Sequence, residues 1–162
     1  MKIDRRALFG LGGAGLLGGF LLWGRGEAGA APGDFPVRFS DEEWRRRLTA
    51  EQYSVLRRGS TERARSSPLD REHRRGTFVC AGCSNRLFAS EAKFDSGTGW
   101  PSFFRPLPGA VGTRPDNSLL ARRTEVHCRR CGGHLGHVFN DGPRPTGLRY
   151  CMNGVAMRFV PA

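Results

Sequence analysis

Five cysteines carry the chemistry that can be read first. Cys80-Ala81-Gly82-Cys83 and Cys128-Arg129-Arg130-Cys131 form two Cys-x-x-Cys pairs with 44 residues between them, and Cys151 stands alone. A two-residue gap lets both thiolates of one tight turn reach a single ion. Two such turns close a tetrahedral sulfur shell, the geometry of structural Zn²⁺ with bonds of about 2.3 Å. The competing reading is two disulfides, which an oxidising compartment would favour. A closed shell of four sulfurs leaves no position for water, so an ion held by Cys80, Cys83, Cys128 and Cys131 would serve the fold and not a reaction.

Cys151 is left over once the pairs are assigned, in the setting Gly147-Leu-Arg-Tyr-Cys-Met-Asn153. Arg149 lies two residues away and would share a strand face with Cys151, where its charge would stabilise a thiolate. His134 and His137 are three apart and could enter one site from a turn or loop, as could Trp100 of Gly97-Thr-Gly-Trp-Pro-Ser102. Spacing alone leaves two readings open: a thiolate nucleophile with imidazole neighbours, or an inert core thiol among structural histidines.

The elements that must position these groups are short. Ser40-Asp-Glu-Glu43 and Thr49-Ala-Glu-Gln52 each place a hydroxyl at an N-cap and an acid or amide three residues later, the signature of a capping box. They predict one or two short helices with Trp44 and Leu48, then Tyr53 and Leu56, turned inward. Residues 57–76 are polar, rich in Arg and Ser and without a period, which predicts a long surface loop. Short β-like runs follow at 77–79, 86–88, 118–120, 124–126, 135–139 and 157–160, separated by Gly, Pro, Asn and Asp clusters. The expectation is a mainly β domain of antiparallel strands with an N-terminal helical cover.

Composition sets the outer limits. The chain has 162 residues, a hydrophobic fraction of 38% and 11 Phe, enough for one core and too much for a disordered chain. Gly 23 and Pro 10 exclude a helical bundle and fall short of a collagen-like period. The formal charge of +11 comes almost wholly from arginines scattered in doublets and one triplet, which reads as a solvated surface and not as a nucleic-acid arm. At the N-terminus, Arg5-Arg6 precedes 18 uncharged residues with seven glycines, and Ala28-Gly29-Ala30 follows as a small-x-small cleavage pattern. This predicts a twin-arginine-like export signal over residues 1–30, a linker over 31–39 and one domain over 40–162 in the periplasm or another extracytoplasmic space. An uncleaved membrane anchor is the alternative.

From about Ser40 to Pro161 the sequence resembles the B-type methionine sulfoxide reductases, which act on the R epimer of methionine sulfoxide. The matching stretches are Cys80-Ala-Gly-Cys83, Lys93-Phe-Asp-Ser-Gly-Thr-Gly-Trp-Pro-Ser-Phe103, Arg123-Thr-Glu-Val126, His134-Leu-Gly-His-Val-Phe-Asn-Asp-Gly-Pro143 and Pro145-Thr-Gly-Leu-Arg-Tyr-Cys-Met-Asn153. The resemblance implies a small fold of two antiparallel sheets, of the β-tent type, with one structural zinc held by the four paired cysteines. It implies Cys151 as the nucleophile, His137 as the direct acid and His134 beside it in the hydrogen-bond network. Asn153 would orient the oxygen or the acid, Asp141 would hold Arg149, Arg149 would stabilise the thiolate, and Trp100 would wall the substrate methyl group. Phe139 reads as packing, and Glu125 as a weaker polar candidate.

At Thr98 the sequence departs from many members, which carry there the cysteine that resolves the sulfenic acid. The remaining cysteines are the metal set, so a one-cysteine cycle is expected, in which an external thiol, from a thioredoxin-like protein or a small molecule, reduces Cys151 directly. The substrate would be methionine R-sulfoxide, with repair of exported proteins favouring the protein-bound form over the free amino acid. Two other readings compete: an exported zinc-binding interaction module without catalysis, and a thiol peroxidase-like sensor. Trp100 with His134, His137 and Asn153 discriminates against the first, which has no use for them.

Overall fold

Ser40 and Thr49 start the two helices that their spacing predicts. In the computed structural model, which describes residues 35–117 and 122–162, α1 spans Asp41–Arg47 and α2 spans Ala50–Arg58. Both N-caps complete a capping box, with Glu43 and Gln52 returning to the Ser40 and Thr49 amides. Gly59, at φ +71°, ends α2 in the left-handed conformation that glycine adopts without strain. Trp44, Leu48, Tyr53, Val55 and Leu56 are buried, so the helices lay one apolar face on the sheets.

Among the described residues nine strands make two antiparallel sheets. The smaller holds β2 (Arg86–Ala89), β1 (Gly76–Cys80) and β9 (Met157–Pro161), in that order. The larger runs β3 (Lys93–Phe94), β4 (Ser102–Phe103), β8 (Arg149–Met152), β7 (His134–Phe139), β6 (Arg123–Cys128) and β5 (Val111–Asp116). Phe78, Phe88 and Phe103 fill the space between the sheets. Phe88 stacks on Phe103 at 4.3 Å, and Phe78 meets Phe103 edge-on at 4.9 Å. Each is fully buried, and truncating any of them to Ala would cost about 3–5 kcal/mol.

The expected architecture, mainly β with two antiparallel sheets behind short helices, is the one observed. Four strands were not read from the sequence: β3 and β4 are two residues each, β8 is four residues of mixed character, and β5 contains Gly112 and Pro115. Pro115 is tolerated because β5 is an edge strand. The expected strand at 118–120 and the N-terminal segment 1–30 lie outside the described residues. Residues 57–76 are not all surface: the first two close α2, Pro68–Arg71 form a 3₁₀ turn, and Glu62 is 5% exposed. Among the described residues no helix is long and apolar enough to cross a membrane.

Candidate active site

Strand pairing brings the reactive groups to the middle of the larger sheet. Cys151 on β8 pairs with His137 on β7 on one side and with Ser102 on β4 on the other. Cys151, His137, Trp100, Phe139, Asn153, Thr61, Gly136 and Arg123 line one cavity of about 140 Å³. Apolar cavities of about this size accept a benzene-sized group. The indole and the phenyl ring supply apolar walls, and the thiol, imidazole and guanidinium supply the polar ones.

The Cys151 sulfur ends a chain of hydroxyls. Thr98 Oγ1 lies 3.9 Å from Sγ, Ser96 Oγ is 2.8 Å from Thr98 Oγ1, and Ser102 Oγ is 2.7 Å from Ser96 Oγ and 3.1 Å from the Trp100 carbonyl, to which it donates. Burial pushes the thiol above its ordinary value, opposed first by Thr98 and then by Arg149. The arginine expected to lower the thiol pKa does act in that direction, but desolvation is larger and the net shift is upward. Asp141 clamps Arg149 through two hydrogen bonds of 2.7 and 2.8 Å, the fork geometry that fixes a guanidinium. A Cβ at Gly142 would collide with the Leu148 carbonyl, so glycine is needed for the loop that brings Asp141 back over β8.

His137 and His134 each have their own carboxylate. His137 Nε2 donates to Asp116 Oδ2 at 2.7 Å, an oxygen that also accepts from Arg123 at 2.7 Å. Burial lowers the His137 pKa, and Asp116 opposes the shift. His134 Nδ1 donates to Glu125 Oε1 at 2.9 Å, and Arg114 holds the same carboxylate with both Nε and Nη2. Burial would raise the Glu125 carboxyl, but His134 and Arg114 outweigh it and hold it down to about 2. The two imidazoles meet edge to face at 5.3 Å. His137 lines the Cys151 cavity and His134 does not.

Asn153 is buried, and its side chain is engaged with main chain. Its Oδ1 accepts from the Glu62 amide at 3.0 Å, and its Nδ2 donates to the Leu135 carbonyl at 3.1 Å. Glu62 is one of the residues that sequence reasoning missed. Its carboxylate accepts from the Gly154 and Val155 amides at 2.7 and 2.8 Å, and its carbonyl accepts from Trp100 Nε1 at 3.2 Å. One residue from the polar segment thus ties the Trp100 wall to Asn153 and to the turn after Cys151. Asp116 and Arg123 were also missed as site residues.

The four paired cysteines converge away from this cavity. Cys80 and Cys83 sit at the β1–β2 turn and Cys128 and Cys131 at the β6–β7 turn, with all four sulfurs within 4.8 Å of one another and all free. Cys80 and Cys131 sulfurs are 3.7 Å apart, and Cys83 and Cys128 sulfurs 3.5 Å. A tetrahedral shell with bonds of about 2.3 Å needs sulfurs about 3.8 Å apart, so the set fits a metal ion and is too open for disulfides. Asn85 Nδ2 points at Cys128 Sγ from 3.6 Å, the kind of outer donor that steadies a thiolate ligand. The Cys128 thiol is pushed strongly down by hydrogen bonds from Cys131, Cys80 and Cys83.

Comparison with known proteins agrees with this layout. Residues 48–161 match the model of the SelR domain. The chain is 51% identical over 127 residues to the peptide methionine sulfoxide reductase MsrB of Leptospira interrogans, covering 78% of this chain and 97% of that protein. It is 56% identical over 129 residues to the protein of the same name from Bradyrhizobium diazoefficiens, covering 79% and 93%. Among solved structures, the Mis18 'Yippee-like' domain aligns with TM-score 0.43 and 17% identity over 55% of this chain and 98% of that one, too distant to bear on function. A SelR-domain match across most of the chain, with half the residues shared over nearly the full length of these relatives, means that the chain belongs to the MsrB family of peptide methionine sulfoxide reductases, which are oxidoreductases.

Proposed function

We propose that this chain reduces methionine R-sulfoxide, in oxidised proteins and as the free amino acid, with Cys151 as nucleophile. The observation that carries the reading is the single cavity on which the Cys151 thiol, the His137 imidazole and the Trp100 indole converge. The Cys151 thiolate attacks the sulfoxide sulfur while the oxygen takes up a proton from His137, since an unprotonated oxide is a poor leaving group. Net, oxygen passes from the substrate sulfur to Cys151: methionine sulfoxide gains two electrons and leaves as methionine, and Cys151 becomes a sulfenic acid.

Asp116 holds the His137 ring and favours its protonated form against burial. His134, fixed by Glu125, packs edge-on against His137 and completes the imidazole pair. Arg149, clamped by Asp141, and Thr98 favour the thiolate. Trp100 and Phe139 present apolar faces to the methyl and methylene groups beside the sulfur, and Asn153 with Glu62 keeps the Trp100 wall and the Cys151 turn in register.

Thr98 cannot resolve the sulfenic acid, and the other four thiols are gathered at the metal set. The return step therefore takes two external thiols, from a thioredoxin-like protein or a small molecule. The first displaces the oxygen as water and forms a mixed disulfide, and the second frees Cys151 and leaves as part of a disulfide. Cys80, Cys83, Cys128 and Cys131 would hold Zn²⁺, which when bound ties the two sheets together through their turns. Residues 1–30 are read as a twin-arginine-like export signal that delivers the domain outside the cytoplasm. Retention of the chain in the cytoplasm after Arg5→Lys with Arg6→Lys is expected, and unchanged export would contradict that assignment.

The experiment supplies separated R and S sulfoxides with dithiothreitol to the wild-type chain and to Cys151→Ser. Turnover of the R epimer alone, lost in the variant, is expected. Turnover of the S epimer at a similar rate, or full activity in Cys151→Ser, would overturn the reading.

A further inference from the structure

A second, larger cavity of about 470 Å³ lies on the other side of His137. Arg123 and His137 line both cavities, so the two share a wall. The larger one also presents Arg57 and Arg58 from the last turn of α2, Arg114 from β5, and the carboxylates Asp116 and Glu125. Among the described residues that line it, four guanidiniums therefore face two carboxylates. Both carboxylates are already engaged, Asp116 by Arg123 and His137, and Glu125 by Arg114 and His134.

Arg57 and Arg58 supply the excess charge. Arg57 donates to the Cys131 carbonyl at 3.0 Å and lies over the Trp44 ring, and neither partner carries a charge. Arg58 has the exposed Asp41 at 3.8 Å, beyond hydrogen-bond distance, and stacks on Tyr53. The C-terminus of α2 offers about half a negative charge to this pair, less than the two positive charges present. The cavity therefore has an unmet preference for an anion.

Resting on the reductase reading, we propose that this cationic cavity is a subsite for an acidic side chain of the substrate polypeptide, so that methionine sulfoxides lying near Asp or Glu are the preferred targets. A residue in extended chain advances about 3.4 Å, so a carboxylate a few residues from the sulfoxide can cross the His137–Arg123 wall while the sulfoxide stays on Cys151. The same charge adds steering: the chain as a whole is +11, and an acidic segment approaches it faster at low salt.

The test uses the full chain and short peptides with one methionine R-sulfoxide. Glu, Gln or Lys is placed at one to four residues on either side, and N-acetyl-methionine R-sulfoxide methylamide serves as the substrate without a side arm. At least one Glu position is expected to raise kcat/KM about three- to tenfold over Gln, the range for one or two partly exposed ion pairs, with Lys below Gln. The gain should collapse at high salt. In the exposed Arg58→Glu variant the preference should turn toward Lys while the small substrate is reduced as before. Arg57→Gln, which also loses its packing on Trp44, is read through the Glu-to-Gln ratio and not through absolute rate. Equal kcat/KM for Glu, Gln and Lys at every position would overturn the subsite with the reductase reading intact, and so would a Glu preference that survives Arg58→Glu. Failure to reduce the small substrate would sink the reductase reading itself.

Discussion

Cys151 and His137 are directly paired residues on neighbouring antiparallel strands, β8 and β7. Opposed side chains in such a ladder have Cβ atoms about 4.5–5.5 Å apart, on the same face of the sheet. A sulfoxide whose sulfur touches the thiolate therefore has its oxygen within reach of the imidazole. In the proposed reaction, attack and proton delivery would both depend on this one register, and a slip of β7 by one residue would turn His137 to the other face.

The pH dependence follows from the opposite shifts of the pair. Burial lowers His137 from its usual 6.5 and raises Cys151 from its usual 9.0. Between the two values the resting pair is a neutral thiol and a neutral imidazole, and the reactive thiolate–imidazolium pair is a constant small fraction of it. As pH falls below the His137 value the thiolate is lost. As it rises above the Cys151 value the acid is lost. kcat/KM should therefore hold a plateau with its acid limb below 6.5 and its alkaline limb above 9.0. His137→Asn should lower the plateau by about 10²- to 10⁴-fold. Arg149→Met removes a group that favours the thiolate, so the alkaline limb should move up, as should the pH profile of Cys151 alkylation by iodoacetamide. An alkaline limb below 9.0 in the wild type would contradict this order of pKa values.

Thr98 already occupies the place from which a second thiol could reach Cys151, at 3.9 Å from its sulfur. Thr98→Cys should convert the cycle to an intramolecular one. After a single turnover without reductant, peptide mapping should find Cys151 in a disulfide with the thiol introduced at position 98, and thioredoxin should become a better donor relative to dithiothreitol. A sulfenic acid that persists beside the new thiol would show that the loop holds position 98 outside disulfide geometry.

The four-cysteine set should bind one Zn²⁺ per chain, because its sulfurs already stand near tetrahedral spacing. Metal release by a mercurial should be stoichiometric, one ion for the four cysteines titrated beyond Cys151. Since a bound ion would join turns of different sheets, Cys83→Ser should lower the unfolding temperature by well over the ~2–4 °C that 1 kcal/mol represents in a chain of this length. Full stability after metal removal would mean that hydrophobic packing alone holds the sheets together.

Glu62 links the site to the segment before β1. Its carboxylate satisfies the buried Gly154 amide and the half-buried Val155 amide, so Glu62→Ala leaves both without partners at about 1–3 kcal/mol each. Urea unfolding should show a loss of about 2–6 kcal/mol, and KM should rise because Trp100 and Asn153 lean on the Glu62 backbone. Glu62→Gln keeps one acceptor oxygen but turns its amide toward the other N–H, so an intermediate loss is expected. Wild-type stability and KM in Glu62→Ala would remove Glu62 from the site.

Much of this was legible in the sequence because local rules carry it. The capping boxes at Ser40 and Thr49 need only residues three apart, and the cysteine pairs need only a two-residue gap. The polar partners were not legible, since each depends on a contact across many residues. Glu62 sits in a stretch whose composition reads as solvent-exposed, yet it is buried by residues some ninety positions later. Asp116 lies on an edge strand whose Gly112 and Pro115 argue against a strand, so nothing local placed its carboxylate against His137. Arg149 was read as a neighbour that favours the thiolate, and it opposes the upward shift of Cys151, but the burial that outweighs it is a tertiary property.

The claim that Cys151 takes the oxygen is tested most directly by one turnover without reductant. Wild-type protein is mixed with a limiting amount of methionine R-sulfoxide, quenched and weighed by intact and peptide mass spectrometry, with a sulfenic-acid trap in parallel. One methionine per modified chain is expected, with a single added oxygen on the Cys151 peptide, trapped as sulfenic acid, and no disulfide to Cys80, Cys83, Cys128 or Cys131. Methionine formed while Cys151 stays unmodified, or Cys151 recovered in a disulfide with one of those four, would contradict the one-cysteine cycle.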